Sequence, residues 1–83
     1  MPEVTWRTSD MDTAAYLIYS NHECLDMEWE EESCFFVFEH SDELVECVAD
    51  FIGDIAQVSP RRYNIVFGNL KKRMFANRRA QRI

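Results

Sequence analysis

Two adjacent blocks of different hydrophobic rhythm constrain this chain most. From Cys24 to Glu30, Leu25, Met27 and Trp29 alternate one for one with Asp26, Glu28 and Glu30. A period of two sends successive side chains to opposite faces, so this block reads as a half-buried strand. Cys34 to Phe38 is an unbroken apolar run rich in aromatic residues, and Glu30-Glu31-Glu32-Ser33 connects the two blocks. An antiparallel hairpin is the shortest solution. With the turn centred between Glu31 and Glu32, Trp29 faces Cys34, Met27 faces Phe36 and Leu25 faces Phe38, which completes a core face. The same register sets Asp26 and Glu28 beside Phe35 and Val37, so the opposite face is wet on one strand and apolar on the other. Either a helix or a second subunit covers Phe35 and Val37, or they form a patch open to a binding partner. The turn has no Asn-Gly or Gly-Gly, so a slip of one residue, which would exchange the faces, stays open.

A hairpin by itself is marginal in water, and the flanking sequence supplies helices to cover it. Thr8-Ser9-Asp10 reads as a helix start with Ser9 as N-cap, and Met11, Ala14, Ala15, Leu17 and Ile18 recur at helical spacing up to about Tyr19. Trp6 falls just before that cap, placed to pack down on the helix. Ser41 caps a second helix in which Leu44, Val45, Val48, Ala49, Phe51, Ile52 and Ile55 form a broad apolar stripe, with Gly53 as its stop. Ile55 to Val58 is long enough for a short edge strand. Ser59-Pro60 opens a third helix predicted to end near Ala76, with Tyr63, Val66, Phe67, Leu70, Met74 and Phe75 on its buried side. The expected architecture is a single small α+β domain over residues 1–76. Its order is helix, hairpin, helix, short strand, helix, with a two- or three-stranded antiparallel sheet under the helices. Residues 77–83 are read as a basic tail.

Charge is laid out as unevenly as hydrophobicity. Residues 1–54 carry all fifteen Asp and Glu against Arg7 alone, about −14, whereas residues 55–83 carry eight Lys and Arg and no acid, +8. Such a bipolar chain can clamp its own halves together, associate head to tail, or meet partners of opposite sign. Eighty-three residues leave room for one domain, and two glycines leave no material for a dinucleotide-binding loop. No apolar run approaches the roughly 20 residues of a membrane span, and Met1-Pro2-Glu3 does not open like a signal peptide. Three cysteines, an odd number, suit a reducing compartment, so a cytoplasmic location is expected.

The succession Arg7-Thr8-Ser9-Asp10 with Ala14-Ala15-Tyr16-Leu17, Phe36-Val37-Phe38-Glu39, Leu44 to Phe51, Val58-Ser59-Pro60-Arg61-Arg62-Tyr63 and Leu70-Lys71-Lys72-Arg73 resembles DUF5659. That is a family of small domains of unknown function found in bacteriophages and bacteria. The resemblance covers nearly the whole chain and rests on structural motifs. It departs from the family at the acidic turn Glu30 to Glu32, where a mixed polar or glycine-containing turn is typical, and at the basic end after Ala76. It implies a phage or mobile-element context and the helix, hairpin, helix, helix order, and it transfers no catalytic residue.

Candidate chemistry is sparse. His22, Cys24, Cys34, His40 and Cys47 match neither paired CxxC knuckles nor the Cys/His zinc-finger spacing, so no metal and no cofactor is expected. Cys34 and Cys47 sit in apolar contexts that suit buried thiols, whereas Cys24 is placed where it could be exposed. No helix N-terminus or neighbouring cation lowers the pKa of a nucleophilic thiol. The carboxylates around the hairpin, Asp26, Glu28, Glu30, Glu31 and Glu32, read first as solvated surface and second as an acidic protein-binding edge. Glu39, Asp42, Glu43, Glu46, Asp50 and Asp54 extend that field in a form able to imitate a phosphate backbone. Arg61, Arg62, Lys71, Lys72, Arg73, Arg78, Arg79 and Arg82 serve either to compensate the acidic half or to bind phosphates, although they are distributed around the third helix. A membrane-surface helix would strip Phe67, Leu70, Met74 and Phe75 from a small core and is set aside.

The expected function is that of a non-enzymatic regulatory or accessory protein acting through a protein interface. Glu28, Glu30, Glu31, Glu32, Phe35 and Val37 are the candidate contacts, and a second copy of the chain is one candidate partner, through Phe35 and Val37 or through opposite charge patches. Nucleic-acid binding by the basic third helix is the alternative.

Overall fold

The computed structural model describes residues 4–53 and 56–81. The elements are β1 (Thr5–Thr8), α1 (Met11–Tyr19), β2 (Cys24–Glu30), β3 (Ser33–Glu39), α2 (Asp42–Ile52) and α3 (Pro60–Gln81). The fold is α+β, with three helices over a three-stranded antiparallel sheet. The third strand is not where the sequence placed it. Ala56 to Val58 are irregular and Ile55 lies outside the described residues, while Thr5–Thr8, expected only to lead into the first helix, pairs along β3. The strand order is β1-β3-β2. Both outer strands run antiparallel to β3, so β1 and β2 are parallel to each other and α1 is the crossover between them.

The hairpin register agrees with the sequence at Trp29↔Cys34, Met27↔Phe36, Glu28↔Phe35 and Asp26↔Val37, then shifts. Cys24, not Leu25, stands opposite Phe38, and Leu25 is the extra residue of a β-bulge. The bulge puts Cys24 and Met27 on one face although they are three apart, and the Asp26 side chain accepts the Met27 N–H at 2.8 Å. Two expectations are thereby reversed. Cys24 is buried, and Leu25 is 42% exposed.

One face of the sheet meets the helices. The core gathers Cys24, Met27, Cys34, Phe36 and Phe38 from the sheet with Ala14, Ala15, Leu17, Leu44 and Leu70 from the three helices. Phe36, Phe38, Leu17, Leu44 and Leu70 are the largest fully buried side chains, each stabilising by about 1.5–3 kcal/mol on removal from water. Trp6 joins at the margin from β1, its ring 6.4 Å from Phe38.

The helix ends follow local chemistry. Asp10, rather than Ser9, caps α1 by accepting from Thr13 N–H, and Thr8 Oγ1 accepts the Asp10 N–H. Ser41 caps α2 through Leu44 N–H and Gly53 ends it, as its sequence indicates. Pro60 opens α3, which passes the predicted stop at Ala76 and continues to Gln81. Asn77 gives one reason, since its Oδ1 accepts the Trp29 indole N–H at 2.8 Å. α1 is fastened on both sides: Tyr16 stacks on Phe51 of α2 at 5.0 Å, and Tyr63 of α3 donates to Asp12.

Candidate functional site

The outer face of the sheet is where the sequence placed a binding patch, and Arg7 lies across it. As a β1 residue opposite Val37, Arg7 projects onto the helix-free face. Its guanidinium stands 4.4 Å from the Phe35 ring centre. Its nitrogens reach Glu28 at 3.1 Å and Glu30 at 3.4 Å. Val37 is only 7% exposed and Phe35 half-buried. The cover for the apolar face thus comes from the same chain. Glu31 and Glu32 stand exposed at the turn, where Glu31 takes a left-handed φ of 58°.

Cys47 Sγ lies 3.6 Å from His22 Nε2, the nearest approach to a thiol–imidazole pair. Burial, together with Asp50, Glu46 and Glu43, pushes the Cys47 thiol up, which opposes thiolate formation. Cys24 is raised by burial, and Cys34 is pushed up to about 11 by burial and by Cys24 beside it. Among the described residues no three His, Cys, Asp or Glu side chains are grouped to hold a metal ion. A depression of about 490 Å³ beside His22 is open and lined by Glu23, Glu39 and Glu43, with Leu25 at one wall. No helix among the described residues is long and apolar enough to cross a membrane.

The third surface is the outward side of α3. Tyr63, Val66, Phe67, Leu70 and Met74 face the core. Directly opposite, positions 61, 65, 68, 72, 75 and 79 recur alternately four and three residues apart and share one stripe. They are Arg61, Ile65, Gly68, Lys72, Phe75 and Arg79. Ile65 is 57% and Phe75 46% exposed, so Phe75 lies on the far side from the core the sequence assigned it to. Nothing lies within 4 Å of where a Cβ on Gly68 would stand, which leaves a notch between Ile65 and Lys72.

A family model matches residues 3–76. The chain belongs to DUF5659, a domain of unknown function. No curated protein and no solved structure matches it. The family match spans Arg7, the hairpin, α2 and most of α3, while Asn77, Arg78 and Arg79 lie beyond its last residue.

The candidate basic residues divide by what they touch. Arg62 lies over the Tyr19 ring at 5.2 Å and Arg78 over Trp29 at 5.0 Å. Arg73 lines a groove of about 440 Å³ against Leu25, Asp26 and Met27. Arg61, Lys72 and Arg79 belong to the outward stripe, Lys71 is exposed at its flank, and Arg82 lies outside the described residues. Among the described residues the ion pairs are those of Arg7, and α3 makes no direct pair with a described acid. Sequence reasoning missed Arg7 as a cover, though its standing alone among fifteen acids marked it. It also missed the α3 stripe, whose four-three spacing is readable from residue 61 onward.

Proposed function

We propose that this chain is a non-enzymatic binding domain that presents the outward face of α3 to an acidic, partly apolar protein surface. One observation carries the reading: Ile65 and Phe75 lie exposed on a stripe bounded by Arg61 and Arg79 and containing Lys72, opposite the core-facing side of the helix. Single exposed apolar residues are ordinary on a protein surface, but two on one stripe among cations offer a partner a pair of anchors. Apolar anchors among cations suit an amphipathic partner carrying carboxylates, the anchors supplying affinity and the charges orientation and rate. The hairpin candidates fit less well, because Phe35 and Val37 are under Arg7 and Glu28 and Glu30 are engaged with it.

The second reading, nucleic-acid binding, is favoured by the seven Lys and Arg of α3 standing without an acid in the same helix. Phosphate recognition has no use for Ile65 and Phe75, and this separates the two. The test titrates the protein with a synthetic amphipathic helix, bearing Glu on its flanks and Val or Ile at i, i+4 and i+7, and with generic duplex DNA over a salt series. Peptide binding that is lost in a folded Ile65→Ser, Phe75→Ser variant is expected. DNA binding that falls steeply with salt and is indifferent to that variant would overturn the protein reading in favour of the second.

A further inference from the structure

The outward side of α2 is the counterpart of the α3 stripe. Asp42, Val45, Glu46, Ala49 and Ile52 share it by helical spacing. Val45 is 45% and Ile52 74% exposed, although the sequence assigned both to the core, and Ala49 between them is exposed as well. Asp42, Glu43, Glu46 and Asp50 give α2 four acids and no base, while α3 carries seven bases and no acid. Both helices pack on α1 and turn these stripes outward. No ion pair among the described residues joins them within one molecule. The dimensions also match: Val45 to Ile52 spans ~10 Å and Ile65 to Phe75 ~15 Å at 1.5 Å per helical residue. With the two helices antiparallel and small Ala49 over the Gly68 notch, Ile52 comes level with Ile65 and Glu46 close to Lys72, so the α2 triplet stays within the length of α3 from Ile65 to Phe75.

Resting on the binding function proposed for α3, we infer that the partner is a second copy of this chain, whose α2 docks on the α3 stripe. The surface is small, so association is reversible and weak. Because the acids and bases face each other at an exposed interface, association falls as salt screens them.

Sedimentation of the whole chain over a wide concentration range, from about 0.05 to 0.5 M salt, reads this directly. Expected is self-association at low salt that weakens by about tenfold or more in Glu46→Lys and in Lys72→Glu, and recovers when both substitutions are placed in one chain. Gly68→Gln separates interface from fold. A better helix former than glycine, it raises the melting temperature while filling the notch and abolishing association. A monomer at every concentration and salt overturns the inference, as does association indifferent to all three variants. Titration with the acidic amphipathic peptide then tells the two failures apart. A monomer that still binds the peptide through Ile65 and Phe75 refutes only the second copy as partner, whereas one that binds no peptide refutes the α3 reading as well.

Discussion

Arg7 joins two strands that are not neighbours and roofs the aromatic ring between them. Replacing it with alanine removes a cation 4.4 Å from Phe35 and the counter-ion of Glu28 and Glu30. A cation over an aromatic ring at an exposed site contributes about 0.5–1 kcal/mol. Each half-exposed ion pair adds ~0.2–1 kcal/mol, toward the lower end here because Arg7 keeps 45% of its side-chain exposure and the glutamates 50% and 58%. One guanidinium serves all three contacts, so the terms do not sum freely, and the expected loss for Arg7→Ala is roughly 1–2 kcal/mol. Arg7→Met keeps an apolar stem over Phe35 and Val37 and loses only the charge, so it should fall between wild type and Arg7→Ala. Urea unfolding followed by the fluorescence of Trp6 and Trp29 measures the three midpoints at low and high salt, with m unchanged. In about 1 M salt, where the screening length is ~3 Å, the gap between wild type and Arg7→Met should narrow while the packing deficit of Arg7→Ala persists. Equal stability of Arg7→Ala and wild type at low salt would refute the reasoning.

Glu31 holds a left-handed φ of 58°, which glycine adopts without a Cβ clash. Glu31→Gly should raise the urea midpoint by the equivalent of about 0.5–1 kcal/mol, whereas Glu32→Gly, at a position without that backbone demand, should not. A fall in stability for Glu31→Gly would contradict this. On the alkaline side, Tyr63 is pushed up to about 12 by burial and by Asp12, and Cys34 to about 11 by burial and Cys24. Both folded values lie above the ordinary 10 and 9, so the fold prefers the neutral forms. Their contribution is complete below about pH 9 and is lost as pH rises through 11 and 12. Tyr63→Phe should be less stable at neutral pH, for want of the hydrogen bonds to Asp12, yet show a shallower decline above pH 10. A wild-type stability profile that is level between pH 9 and 12 would count against both assignments.

Much of the fold was legible because its determinants are local. Two-residue alternation in β2, followed by an acidic turn and an apolar run, marked the hairpin from Asp26 to Phe38, and Ser41, Gly53 and Ser59-Pro60 marked three helix ends. β1 was not legible, since Thr-Trp-Arg-Thr is too short to show a period and its partner lies about thirty residues away. The bulge at Leu25 escaped for a related reason. Alternation continues unbroken through Leu25, and only the tertiary demand to bury Cys24 and Met27 together reverses it. The α2 stripe was over-read because seven apolar positions suggested a wide buried face. A helix lying at the side of α1 can bury only Leu44, Cys47, Val48 and Phe51, leaving Val45 and Ile52 outside. The candidate site was half visible: the charge asymmetry was plain in the sequence, but which cations face outward depends on where the core takes its side of α3.

The central position of β3 sets an order in time. As the chain is synthesised, Thr5–Thr8 leaves the ribosome first and has nothing to pair with until Ser33–Glu39 follows. β2 meets β3 across a two-residue turn, whereas joining β1 closes a loop of roughly thirty residues that already contains α1 and β2, an entropic cost due before any reward. Through that interval β3 offers one open edge, beside the aromatic run Phe35 to Phe38. Of the three strands, the one made first has the costliest pairing to close, and until it is seated the apolar run Phe35 to Phe38 keeps an unpaired edge.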